Sequence, residues 1–379
     1  MDVSLSEQQE MLRKTARDFF QKECPTSLVK EMAEDEKGYS PDLWHKMAEL
    51  GWMGLVFPTE YGGSGADFLD LALLLEEMGR ACLPGPFFST VVLCGLTIMA
   101  EGSEEQRREF LTGIARGELI LAFALTEPSA RYDASAIATR AVPQDDGYVI
   151  NGTKLFVNDA HIADYIICAA RSKETGKPEE GITLFLVSTQ SPGIECTPLK
   201  TTTFDKQYEV VFNNVKVGKK NILGKVNQGW RIVESTLQQA AVARCADMVG
   251  SARSAFEMSV SYAKERVQFG RPIGSFQAIQ HHCANMVVDI DGSAFITYEA
   301  AWSLSQGLPS TMLVSMAKAW VDEACQRVTL LGHQIHGGIS FCADHDLHLF
   351  HRRVRAGALT LGDTAFHQKV VARELLRHV

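Results

Sequence analysis

In "LTEPSARYD" the polar residues Thr126, Glu127, Arg131 and Asp133 crowd one short stretch directly after the apolar run "LILAFA". A sheet end followed by such a loop would present a hydroxyl and backbone amides to a planar ligand, and a plain polar turn has the same composition. "KLFVND" places Phe156 at a second strand end, where an aromatic ring either stacks on a flat ligand or closes a core. Farther along, "ERVQFGRPIGSFQ" carries Arg266, Phe269, Gly270, Arg271 and Gln277 between two helical stretches. An arginine and an aromatic ahead of a Gly-Arg-Pro turn can grip a phosphate-bearing adenosine or simply order the corner. In "QIHGGIS", Gly337 and Gly338 allow backbone to approach a ligand closely and equally suit a helix C-cap.

Other chemistries find less support. His333 with His336, and His345, His348 and His351 at helical spacing, raise a metal site, but no carboxylate or thiolate partner converges with them in sequence, and "HDLHLFHRR" also reads as a solvated helix face. No metal is therefore expected. "GGSGAD" lies between helices rather than after a strand, which makes it a turn rather than a phosphate cradle and disfavours a Rossmann site. The nine cysteines are scattered, with no C-x-x-C pair, and read as reduced, buried thiols of a cytoplasmic protein.

These residues must be positioned by three kinds of chain. Ser6 with Gln9 forms a capping-box pattern, Ser40-Pro41 opens a second helix that stops at Gly51, and Ser103 with Gln106 opens a third ending near Gly117. From Leu119 the pattern changes to short β-branched and aromatic runs, "LILAFAL", "GYVINGTKLFV", "ADYIICAA", "ITLFLV" and "YEVVFNNVKV", separated by turn residues. After Gly229 the strand signals give way to long helical periodicities. The expectation is an α+β chain with an N-terminal helical domain over 1–117, a middle antiparallel β domain over 118–226 and a C-terminal helical bundle over 227–379.

At 379 residues and 46% hydrophobic content the chain can bury a sizeable core, and a net charge of -9 argues against nucleic-acid binding. The N-terminal stretch "MDVSLSEQQEMLRKTARDFF" has no apolar core of signal-peptide type, and runs such as Val91 to Ala100 are too short to span a bilayer, so no membrane insertion is expected.

Taken in order, "YGGSG", "ALTEP", "NGTKLFVNDAHIAD", "FNNVKVGKKNILGKVNQGW", "ERVQFGRPIGSFQAIQ" and "QIHGGIS" resemble the acyl-CoA dehydrogenase family of flavoproteins over nearly the whole chain. The resemblance implies FAD between the β domain and the C-terminal helices, with its adenosine half reaching a neighbouring subunit. It sets Phe123, Leu125 and Thr126 against the flavin ring, Phe156 in place of a stacking tryptophan, and Asn158 in place of a hydroxyl residue facing flavin N5. From the neighbour, Arg266, Phe269, Gln277, Gln334, Gly337 and Gly338 match the diphosphate and adenosine contacts, and Asp363 should face the FAD phosphates. The implied reaction removes the α-proton of an acyl-CoA thioester and passes the β-hydride to flavin N5, giving a 2-enoyl-CoA, with electron-transferring flavoprotein as acceptor.

That reaction needs a base. The family's usual glutamate aligns with Leu361 in "LTLGDTAFHQK", and its alternative position aligns with Ala240 in "STLQQAAVARC". Neither can accept a proton, and Asp363, two residues beyond, is the nearest carboxylate. Arg131 and Tyr132 replace a small pair that usually lines the pantetheine channel, which makes them candidate substrate contacts. Three readings follow: a dehydrogenase with its base elsewhere, a redox-silent acyl-CoA lyase on the same fold, or a non-catalytic subunit paired with a paralogous chain. The assembly is expected to be a homo- or hetero-oligomer, in the tetrameric manner of the family.

Overall fold

The computed structural model describes residues 5–203 and 205–377. The N-terminal third is helical, with α1 (Glu7–Glu23), α2 (Thr26–Glu34), α3 (Pro41–Glu49), α4 (Phe68–Arg80), α5 (Leu96–Glu101), α6 (Glu104–Gln106) and α7 (Thr112–Ala115). The local signals behave as their chemistry requires. Ser6 accepts from the Gln9 amide while the Gln9 side chain returns the bond, and Ser103 does the same with Gln106. Ser40 caps α3 with Pro41 in its first turn, and Gly51 leaves the helix at φ +76°. The segments Phe88–Gly95 and Arg107–Leu111 widen to π-helix, which the sequence pattern did not signal.

Eight strands follow: β1 (Leu121–Ala124), β2 (Arg140–Gln144), β3 (Gly147–Asn158), β4 (Tyr165–Arg171), β5 (Ile182–Ser188), β6 (Ile194–Leu199), β7 (Gln207–Gly218) and β8 (Ile222–Leu223). They form one sheet in the order β6-β7-β3-β2-β4-β5-β8, with β1 added against β4. The pairings are antiparallel except β1 with β4 and the single β2–β4 register position, which are parallel. Strands β2 and β6 escaped the sequence reading because they are short, mostly exposed and interrupted by Pro143 and Pro198, leaving no long apolar run to detect.

The last third is α8 (Gly229–Glu265), α9 (Gln277–Ser305), α10 (Thr311–His336), α11 (Leu347–Leu359) and α12 (Thr364–Leu376). The chain divides into two compact units. One gathers the N-terminal residues through Lys30, Asp67–Leu83 and Gln238 onward; the other holds Glu31–Ala66 and Pro84–Leu237. The helical unit has its core among Cys245, Met248, Val249, Met286, Ile290, Val321, Cys325, Val328 and Val354. No helix among the described residues is long and apolar enough to cross a membrane. Cys196 and Cys342 are exposed and Cys283 is half-buried, which corrects the expectation that every thiol is buried.

Where α4 meets α8, glycines remove the spacing that side chains would impose. A Cβ on Gly250 would stand 1.8 Å from the Glu76 carbonyl oxygen, and one on Gly79 would stand 2.0 Å from that of Asp247. The two backbones therefore touch. Gly250→Ala should destabilise the protein by about 2–3 kcal/mol, the usual scale of overpacking when backbone must move, read as a lowered urea midpoint at unchanged slope.

Candidate active site

In the sheet-bearing unit, one buried ion pair fastens the loop after β1 to β3. Lys154 is wholly buried, and its ammonium donates to Glu127 Oε1 at 2.7 Å and to the Leu125 carbonyl at 3.1 Å. Glu127 also accepts from the backbone amides of Ala138 at 2.8 Å and Thr139 at 3.0 Å. Burial pushes the Glu127 carboxyl up, but the Lys154 charge and these hydrogen bonds outweigh it, and the net shift is downward. The register between β3 and β7 breaks between Lys154 and Val157, a bulge in which Phe156 takes φ +56°. There the Leu155 amide turns to the Thr126 carbonyl at 2.8 Å.

Around this joint stand the residues expected to meet a flavin ring. Phe123 is buried at the end of β1, and Leu125 and Thr126 are half-buried in the loop. Phe156 is 50% exposed, so its ring is not part of the core. Asn158 ends β3 with a buried Oδ1 that has no hydrogen-bond partner, an acceptor the protein itself leaves unsatisfied. Arg131 and Tyr132 are exposed; the Arg131 guanidinium donates to Asp133 at 2.9 Å within its own loop. A planar cofactor fits such an arrangement.

In the helical unit, Arg266 and Phe269 lie on a short hairpin, Val267–Gln268 against Arg271–Pro272, and Gln277 opens α9. Phe269 is 92% exposed at φ +52°, and Arg271 stacks instead on Phe276, 4.2 Å from its ring centre. Gln334, Gly337 and Gly338 are exposed where α10 ends, with Gly337 as its C-cap at φ +67°. A Cβ on Gly337 or Gly338 would meet nothing within 4 Å, so open space adjoins this backbone. The nearby histidines are held by neighbouring groups, and His345, His348 and His351 are half-buried rather than fully solvated. His333 stacks on Phe341 and bonds the Ser340 hydroxyl at 2.8 Å, His336 stacks on Tyr262 and donates to the Gly332 carbonyl at 2.8 Å, and His351 bonds Thr329 at 3.0 Å. No cluster that could hold a metal ion occurs among the described residues.

The two base positions differ in surroundings. Ala240 is wholly buried in α8, whereas Leu361 is half-buried in the turn between α11 and α12 at φ +63°. Asp363 is the N-cap of α12, its Oδ1 accepting from the Phe366 amide at 2.8 Å. Behind the turn lie groups that the sequence reading missed. Lys318 bonds both oxygens of Asp322 at 2.8 Å and the carbonyls of Gly357 and Gly362 at 3.1 Å. His367 meets the Leu361 carbonyl at 3.0 Å and the Ser315 hydroxyl at 3.2 Å. Burial holds His367 down to about 4, and burial pushes Asp322 up against the opposing pull of Lys318. The signals were present: Lys318 and Asp322 are four apart within an apolar helix, and Lys154 falls on the same strand phase as buried Ile150.

Models of the acyl-CoA dehydrogenase N-terminal, middle and C-terminal domains match residues 6–118, 122–215 and 227–376. The chain belongs to the acyl-CoA dehydrogenase family. Among its relatives, a 3-(aryl)acrylate reductase of Clostridium sporogenes is 35% identical, over 98% of this chain and 99% of that protein. A caffeyl-CoA reductase-Etf complex subunit of Acetobacterium woodii is 32% identical over 98% of this chain and 99% of its own. The butyryl-CoA dehydrogenase structure from Megasphaera elsdenii superposes with a TM-score of 0.92 at 31% identity, covering both chains completely.

Two outcomes follow from the ionic groups. Lys154→Met leaves the Glu127 carboxylate buried beside a methionine and should cost about 3–5 kcal/mol, measured by urea unfolding, with the Lys154→Met/Glu127→Gln double variant recovering part of it. His333 and His367 are both held at about 4 in the fold, below the ordinary histidine value of 6.5, His333 by burial and by its histidine neighbours. The unfolded chain therefore binds protons first as pH falls. Their contribution to stability is fully present above pH 6.5 and is lost as pH drops toward 4, so the unfolding free energy measured at stepped pH should decline across that window, less steeply in His333→Asn.

Proposed function

We propose that this chain is an FAD-dependent oxidoreductase interconverting an acyl-CoA and its 2-enoyl-CoA. The observation that carries the reading is the pinned joint of Glu127, Lys154 and the β3 bulge, which holds an unused ring and an unsatisfied amide oxygen at one sheet end. Phe123, Leu125, Thr126, Phe156 and Asn158 would hold the flavin ring. Arg266, Phe269, Gln277, Gln334, Gly337 and Gly338 would take the diphosphate and adenosine of a neighbour's FAD. FAD, when bound, supplies the two-electron acceptor or donor at the β-carbon. This chain's own residues bind and orient the thioester, with Arg131 and Tyr132 at the entrance. Electron-transferring flavoprotein is the proposed redox partner.

The α-carbon sets the open question of mechanism. Oxidation removes a proton there and reduction returns one, and by microscopic reversibility the same group serves both directions. Leu361 and Ala240 cannot do so. Asp363 is already committed to its helix cap, so Asp363→Asn should retain full turnover while losing up to about 1 kcal/mol of stability from a weakened cap.

A second reading is favoured by a specific surface. Val288, Phe295 and Trp302 recur at seven-residue spacing on α9, and Met316, Trp320 and Leu330 lie on α10, all exposed. Such a face suits a second subunit, either another copy or a paralogous chain that supplies the chemistry while this one completes its cofactor contacts. Anaerobic titration with butyryl-CoA and 3-phenylpropionyl-CoA, following flavin absorption and product mass, decides among the readings. Bleaching with an enoyl-CoA product supports the oxidoreductase. A changed thioester with oxidised flavin would identify a lyase, and no change in the homo-oligomer would identify the partner-dependent subunit.

A further inference from the structure

The first turn of α11 is not capped by the residue its sequence offers. Asp346 stands at the N-cap position, yet its side chain makes no capping bond to the helix. The carboxylate is drawn to α2 instead, where the Thr26 hydroxyl donates to it at 2.7 Å and the Lys30 ammonium pairs with it at 2.6 Å. Lys30 also donates to the Asp344 carbonyl at 2.9 Å. The first amide of the helix, that of Leu347, goes to Nδ1 of His345 at 3.1 Å. An imidazole nitrogen thus does, from two residues back, what the side-chain oxygen of an asparagine or aspartate does in an Asx-turn.

Unlike that oxygen, this acceptor titrates. Because the Leu347 amide can only donate, Nδ1 is bare and Nε2 carries the ring proton; a second proton would occupy the nitrogen that holds the helix. It would also set a positive charge at the positive end of the α11 dipole. The neighbouring histidines respond differently. His336 donates to the Gly332 carbonyl and His348 to that of Ala343. The hydroxyl protons of Ser340 and Thr329 are spent on the Gly337 and Gln326 carbonyls, so His333 and His351 donate to those hydroxyls through Nδ1. These four bonds survive protonation, and the His345 bond does not. Titratable groups reach the His345 ring from three elements: His336 on α10, packed edge-on with ring centres 4.8 Å apart, Lys30 on α2, and Asp346 with His348 at the start of α11. Burial is the main influence holding the ring below its ordinary value, His348 and Lys30 add to it, and Asp346 opposes them.

We propose that His345 is a pH-sensitive cap of α11, and that a proton added to its ring releases the first turn of this helix together with the chain that leads into it from Cys342. The inference stands on contacts within the chain and is independent of the function proposed above. Once released, the ring regains the ordinary histidine value of 6.5, so the released form binds the proton first as pH falls. The cap is complete above pH 6.5 and weakens below it.

The test is hydrogen–deuterium exchange of the whole protein at about pH 7.5 and about pH 5.5, corrected for the intrinsic pH dependence of amide exchange and read on peptides spanning residues 342–350. Protection of this segment in the parent should fall about fivefold at the lower pH, the scale of losing one helix cap. His345→Asn, whose carboxamide accepts the Leu347 amide without titrating, should stay protected at both pH values. His345→Ala should be as weakly protected at both as the parent is at the lower. A parent whose protection does not change with pH would overturn the proposal. A fall that persists in His345→Asn would do the same by assigning the effect to another group, and an equal fall in strand β4 would show global opening instead of a released cap.

Discussion

The candidate flavin-ring residues of the sheet-bearing unit depend on one buried ion pair. Lys154 and Glu127 are both sequestered from water, and neither charge is tolerable there alone, so the strand that bears the lysine and the loop that bears the glutamate must meet. Everything expected to touch a flavin ring is within a few residues of one partner or the other. The bulge that exposes Phe156 begins immediately after the lysine, and Leu125 supplies the carbonyl that takes the ammonium's second bond. The fold has placed an electrostatic obligation where it needs geometric accuracy.

The helical unit solves a similar problem in the same way. A buried lysine again collects carbonyl oxygens that a turn would otherwise leave unsatisfied, and a carboxylate again neutralises it. Both lysines organise backbone that side chains then use.

Much of this was legible in the sequence. The caps at Ser6, Ser40 and Ser103 follow from side-chain hydrogen bonding, and the five apolar runs of the middle segment are strands because their β-branched and aromatic residues suit a packed sheet. What was hidden follows from what sequence patterns omit. Strands β2 and β6 are short and mostly exposed, with Pro143 and Pro198 interrupting their apolar residues, the π-helical segments look like ordinary helical turns, and the histidines of α11 share their spacing with a solvated helix although His351 bonds Thr329 and packs edge-on against His333. The pairings Lys154 with Glu127 and Lys318 with the Leu361 turn join residues 27 and 39–44 apart, and no local pattern reports such contacts. Each lysine stands out only as a charge at an apolar phase.

The exposed ridge of Val288, Phe295, Trp302, Met316, Trp320 and Leu330 has a thermodynamic consequence of its own. A surface of this kind couples folding to mass action, because any copy that covers it withdraws folded chains from the unfolding equilibrium. Where the proposed subunit contact forms between copies, the apparent melting point becomes a function of how much protein is present, and dilution acts as a denaturant.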